Sequence, residues 1–254
     1  MGEAKKIVIK PISGRDAAKV VKLHHYSGKV VQNSQLHFGV FYEGRCEGAM
    51  SFGPSLDKRK TMGLVEGTKF NNFLELNRMA FSDKLPRNSE SRAISFALKQ
   101  IKKRYSHVEW IISFSDATQC GDGIIYRASG FYLTAIKENT DCMLTSKGEV
   151  VHTMTIKSSK KLMSKYGNWK KAMKAIHGDY APTKGFQLRY IYFLNPLAKE
   201  RLKVPILPFS EIDKMGVGMY KGKAKRASSD TDDTLGNPAK KGQFDSDRCA
   251  PSNK

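Results

Sequence analysis

The stretch from Val108 to Phe131, VEWIISFSDATQCGDGIIYRASGF, limits the possible folds of this chain more than any other. Val108 to Phe114 is a short run of β-branched and aromatic residues, which predicts a buried strand. Asp116 follows at the strand's end. Gly121 and Gly123 then permit a tight loop, because glycine takes positive φ without a Cβ clash. Ile124, Ile125, Ala128 and Phe131 fall near helical spacing, predicting a short helix from about residue 122 to 129, with Gly130 ending it. Asp116 and Tyr126 would then flank one strand-to-helix crevice, where open α/β sheets bind ligands. An isolated Asp at such a place also serves simply to cap a loop.

A strand feeding a helix needs a sheet to join, and the rest of the chain supplies one. Ile7 to Ile9 predicts a strand, and Ser13 caps a helix from Gly14 to about Leu23. His24, His25, Tyr26 and Ser27 form a polar, aromatic loop after it. Leu36–Tyr42 and Cys46–Phe52 read as a hairpin closed by Glu43-Gly44. Phe73–Phe81 alternates as a strand. A helix follows with the apolar stripe Ile94, Ala97, Leu98, Ile101 and Tyr105, capped by Asn88 or Ser89. Beyond the central stretch, strands are expected at 131–135, 150–156 and 186–194. A single amphipathic helix is expected at 160–177. Strand and helix segments in this order predict an α/β (α+β) fold, a mixed sheet with helices on both faces.

Charge narrows the partner. The formal net charge is +20, which points to a polyanion such as nucleic acid. Residues 221–254 hold eight Lys/Arg and five Asp, so +3 belongs there and +17 to residues 1–220. With one aromatic and many Ser, Gly and Pro, that segment reads as a disordered tail on one folded domain. The 160–177 helix carries Lys160, Lys161, Lys165, Lys170, Lys171 and Lys174 and no acid, which would repel itself without an anionic partner. Lys161, Lys165, Lys170 and Lys171 are therefore candidate DNA-binding residues. No apolar run approaches the roughly 20 residues of a membrane span, and the N-terminus lacks a signal-peptide core, so no membrane partner and a cytoplasmic location are expected. The four cysteines are scattered, with no CxxC pair, and read as reduced thiols rather than a zinc site; Cys120 alone lies near the crevice.

The element order is that of the GNAT-like N-acetyltransferase fold. There acyl-CoA binds where the fourth and fifth strands splay, its pyrophosphate on a glycine-bearing loop before the central helix. Here that loop reads SDKLPRNSES from Ser82 to Ser91, with no glycine, which makes backbone approach to a pyrophosphate harder. His25-Tyr26-Ser27, the Pro86–Ser91 loop and the block Ser115–Phe131 together resemble the Mom family of phage DNA-modification proteins, over roughly residues 5 to 195. That resemblance implies conversion of adenine in DNA to N6-carbamoylmethyladenine, shielding phage DNA from host restriction in the bacterial cytoplasm.

Carried onto this sequence, the family's functional positions are His25, Tyr26, Ser91, Asp116 and Tyr126. The resemblance implies Asp116 as base towards adenine N6 and Tyr126 as a proton donor to the leaving group or acyl oxygen. His25 serves as a second acid/base or an iron ligand, and Tyr26 as a stacking ring. Asn88, Ser89 and Ser91 are the candidate cofactor-binding residues. The group donor stays open, with acetyl-CoA one candidate, and iron is associated with the family without a legible ligand set. The partner implied is double-stranded DNA with a flipped adenine. Two other readings remain: an ordinary acyl-CoA-dependent GNAT acetyltransferase, and a non-catalytic basic DNA-binding protein.

Overall fold

The computed structural model describes residues 2–117, 121–214, 219–220 and 223–224. Cys120 and almost all of the predicted tail, 221–254, lie outside the described residues. Ahead of the sheet, Glu3–Lys6 forms a 3-10 turn. An eight-stranded mixed sheet follows, from β1 (Val8–Pro11), β2 (Leu36–Tyr42), β3 (Arg45–Gly53), β4 (Phe73–Phe81), β5 (Trp110–Asp116), β6 (Tyr132–Thr145), β7 (Val150–His152) and β8 (Tyr180–Phe193). Its order is β1-β2-β3-β4-β5-β8-β6-β7. Among the described residues β4 and β5 make the one parallel pair of this sheet, and the crossover between them contains α3 (Ser89–Arg104).

Strand alternation sorts the helices onto two faces. In β3, Ala49 packs against Ala17 and Val20 of α1 (Gly14–His24). Its neighbour Met50 joins Ile94, Ala97 and Ile101 of α3 on the other face. Neighbours in β5 divide likewise: Ile111 enters the α3 core, while Trp110 and Ile112 join Phe73 and Ala198 of α8 (Pro196–Glu200). Trp110 stacks flat on Phe73 at 4.5 Å and donates to Thr68 Oγ1 at 3.1 Å, so its polar edge is satisfied inside an apolar cluster. Ser13 caps α1 as expected, accepting from Asp16 N–H. Three further short helices are α2 (Lys58–Met62), α4 (Ile124–Ala128) and α9 (Ser210–Lys214).

Three expectations change on the β6 side. β6 and β8 are fourteen residues each and pair as far as Thr145 and Tyr180, forming an arm beyond the sheet. The predicted strand 150–156 stops at His152. His152 Nδ1 accepts from Met154 N–H and starts helix α5 (Thr153–Lys157), because Ile156 is buried in a local core and tertiary burial outweighs its β-propensity. The predicted single helix 160–177 is two, α6 (Lys160–Tyr166) and α7 (Trp169–His177). Gly167 ends the first at φ 77° and Asn168 caps the second, accepting from Lys171 N–H. These three helices fold over the arm around Met143, Ile156, Ala172 and Met173, forming a small lobe.

Candidate active site

β4 and β5 pair only at Phe73↔Trp110, Leu74↔Ile111 and Glu75↔Ile112. Both strands run on past that point, so their carboxyl-terminal halves splay. A cavity of about 440 Å³ opens between Leu76–Phe81 and Phe114–Asp116, closed by the end of α1 and the start of α4. His25, Tyr26, Asp116 and Tyr126, drawn from positions about a hundred residues apart in sequence, all line it.

Each side chain is positioned by its own local logic. Asp116 is the last residue of β5, opposite Gln187 of β8. Tyr126 is buried in α4, stacked on Tyr190 at 5.1 Å and edge-on to Phe131, so its ring is part of the cavity wall. Gly121 and Gly123 hold positive φ of 82° and 69°, and Gly130 takes 80° at the helix end. Tyr190 fixes this loop from below. Its hydroxyl donates to Asp122 C=O at 2.7 Å, and a Cβ on Gly123 would lie 2.6 Å from the Tyr190 ring. Burial raises the Tyr190 pKa, keeping that hydroxyl a donor.

His25 follows α1 and stacks on Tyr26, with ring centroids 4.4 Å apart. Ser27 N–H donates to His25 Nδ1 at 3.1 Å. A backbone N–H can only donate, so Nδ1 is the bare nitrogen and the neutral ring carries its proton on Nε2. Burial, assisted by the positive charge of Arg78, lowers the His25 pKa to about 4. In this arrangement the neutral ring presents Nε2–H as a donor. The Ser27 hydroxyl also lies 2.8 Å from Nδ1. Among the described residues no group of three or more His, Cys, Asp or Glu side chains could hold a metal ion.

Sequence reasoning missed Arg78 and Tyr190. Arg78 lines the cavity and donates from Nε to Lys29 C=O and from Nη1 to Asn77 C=O, tying the loop after His25 to β4. A cation on the strand face otherwise formed by Leu74, Leu76 and Ala80 was the available signal. Tyr190 carried none, since FQLRYIYFL reads as core throughout. Asp83 and Glu90 also line the cavity. Three carboxylates and one guanidinium give the lining a net negative charge and several acceptors for N–H donors.

The candidate cofactor residues lie elsewhere. Asn88 occupies the N-cap position of α3 at φ 71°, in the left-handed region that Asn tolerates, and its side chain does not cap the helix. Ser89 does not cap either. It is fully buried and donates to Pro86 C=O at 2.6 Å, which removes it from any ligand surface. Asn88 and Ser91 line a separate depression of about 590 Å³ with Arg92, Ser95 and Lys99. Hydroxyls and cations beside a helix N-terminus suit anionic groups such as phosphates.

Lys161 and Lys165 on α6, and Lys170 and Lys171 on α7, are exposed. None of the four reaches the crevice. Asp116 pairs with Gln187, and β8 extends from there to Tyr180 at the lobe, roughly 20 Å at strand rise, off the same sheet end at which the crevice opens.

A splayed parallel pair, a crossover helix and a strand inserted between β5 and β6 define the GNAT-like architecture. The fold is similar to solved acetyltransferases. The IAA acetyltransferase from Bacillus cereus is 12% identical, with 74% of this chain and 99% of that chain covered and a TM-score of 0.42. The ribosomal-protein-S18-alanine N-acetyltransferase from Escherichia coli is 11% identical, with 74% and 94% covered and a TM-score of 0.43. Within that architecture the family is specific. The model of the Mom protein family matches residues 6–211, and the methylcarbamoylase Mom of Escherichia phage Mu is 37% identical over 205 residues, 80% of this chain and 82% of that protein. The chain belongs to the Mom protein family. Among the described residues no helix is long and apolar enough to cross a membrane.

Proposed function

We propose that this chain is a DNA-modifying transferase that converts adenine to N6-carbamoylmethyladenine, protecting phage DNA from restriction in the host cytoplasm. The observation that carries this reading is the gathering of His25, Tyr26, Asp116 and Tyr126 around one carboxylate-lined cavity. The relative's name, a phage methylcarbamoylase, supports the group transferred.

The N6 lone pair of adenine is delocalised into the ring, so N6 attacks poorly unaided. Asp116 orients N6 and accepts its proton as the new bond forms. Tyr126 donates towards the leaving group. The Nε2–H of His25 donates to the carboxamide oxygen of the incoming carbamoylmethyl group and orients its methylene carbon towards N6. Tyr26, 60% exposed and braced by His25, stacks on the base. N6 is paired inside a duplex, so the adenine enters flipped. The new bond joins N6 to the methylene carbon of a carbamoylmethyl donor, and the bond from that carbon to the rest of the donor breaks, its electron pair leaving on the group that Tyr126 protonates. Asn88, Ser91 and Arg92 would hold anionic groups of such a donor. Lys161, Lys165, Lys170 and Lys171 meet the DNA backbone.

Expression in bacteria, digestion of plasmid DNA to nucleosides and mass spectrometry test this reading. An N6-carbamoylmethyl adenosine adduct is expected. Unmodified adenosine from an expressed, folded protein overturns it, and acetylated protein or amine in its place returns the reading to an ordinary acetyltransferase.

A further inference from the structure

A base that leaves a duplex leaves a gap, and the crevice carries a side chain placed to fill it. Ile124 lines the cavity yet is 62% exposed. Single exposed aliphatic residues are common and carry no meaning alone. Two features separate Ile124 from the others. The first is location. Leu23 is more exposed but does not line the cavity, and Tyr26 is held against His25. Ile124 stands at the lip, two residues before the buried Tyr126.

The second is rigidity. Ile124 N–H donates to Asp122 Oδ1 at 3.2 Å. Asp122 C=O is held by Tyr190, and Asp122 also faces Arg127 at 3.7 Å. Gly123 is in the left-handed region directly against the Tyr190 ring, where any side chain would clash. The backbone beneath Ile124 is therefore fixed at three consecutive residues. The exposed side chain is therefore presented from a rigid turn.

We propose that Ile124 is a wedge that enters the duplex and occupies the space vacated by the flipped adenine. Proteins that unstack DNA use Ile, Leu, Phe or Met in this way, because an apolar side chain replaces the lost stacking contacts at no polar desolvation cost. The inference rests on the reading of the cavity as the receptor for a flipped adenine, and it adds a residue specific to duplex substrate. A single strand has no gap to fill.

The test compares wild type, Ile124→Ala and Ile124→Leu on a duplex and on the same strand alone, with initial adduct rates read by nucleoside mass spectrometry. The duplex-to-single-strand rate ratio should fall about tenfold or more in Ile124→Ala, since the unstacking that the wedge offsets is the larger part of the duplex barrier. Ile124→Leu should restore most of it. An unchanged ratio in Ile124→Ala, with wild type active, overturns the wedge and leaves the modification reading standing. No adduct from wild type on either substrate overturns both. A second measurement is independent of turnover: 2-aminopurine is placed in a duplex at a mapped target position. Wild type should raise its fluorescence and Ile124→Ala should raise it much less; equal enhancement overturns the proposal.

Discussion

The crevice and the helical lobe are built on opposite principles. The crevice draws His25, Arg78, Asp116, Tyr126 and Tyr190 from five separate elements and fixes them through buried rings and backbone hydrogen bonds. The lobe comes from one stretch, residues 139–185, with a core of four buried side chains and an exterior of lysines. Geometry is what the crevice offers, and charge density is what the lobe offers. The proposed reaction, at one atom of a long polyanion, has use for both. They lie roughly 20 Å apart along β8, which on the proposed reading separates phosphate attraction from the carboxylates of the crevice.

The largest effect should come from the crevice. Asp116→Asn keeps the size and most hydrogen bonds but loses the proton acceptor, so the adduct rate should fall by roughly 10²–10⁴. DNA affinity and melting temperature should barely move, because one charge is a small part of a +17 body. Near-normal adduct yield from a folded Asp116→Asn protein would remove it from the mechanism; an unfolded variant would assign it to loop capping.

Next comes the lobe. Changing Lys161, Lys165, Lys170 and Lys171 to Glu should abolish DNA binding in a gel-shift or anisotropy assay without unfolding the protein. In Lys→Ala singles, each lysine that meets a phosphate should flatten the log–log salt slope by about 0.9. Unchanged affinity would place the DNA surface elsewhere.

Met173→Ala asks whether the two regions are independent. Met173 is fully buried in the lobe, and its truncation should destabilise that core by about 2–5 kcal/mol. Hydrogen exchange should quicken in α5–α7 while amides around Tyr126 and Tyr190 keep their protection. Equal loss of protection at both would make the arm and the crevice one cooperative unit.

The smallest effect concerns His25. Its folded pKa, about 4, lies below the ordinary 6.5, so between those values the unfolded chain binds the extra proton. Its contribution to stability is complete above pH 6.5 and declines as pH falls towards 4. His25→Asn should flatten the pH dependence of the urea midpoint in that window. An identical pH profile would show that another group titrates there.

The central strand, glycine loop and short helix were legible in the sequence because each is specified locally. β-branched residues favour extended backbone, Gly123 alone accepts its φ against a ring, and Gly130 ends the helix where it stands. The hairpin 36–53 and the helix 89–104 were legible for the same reason. The 160–177 region was misread as one helix because its apolar stripe runs on in phase across Gly167, and the glycine's turn outranks the stripe.

By itself the sequence determined the alternation of strands and helices, the placement of Asp116 at a strand end and the excess of positive charge, all of which follow from residue type and spacing. Tertiary structure alone decided that β4 and β5 part after Glu75 and Ile112, that Tyr190 clasps the loop under Tyr126, and that Ser27 leaves His25 a donor. Those facts depend on contacts between residues up to sixty-eight positions apart or on the orientation of one ring. Neither can be read from the local preferences that a sequence displays.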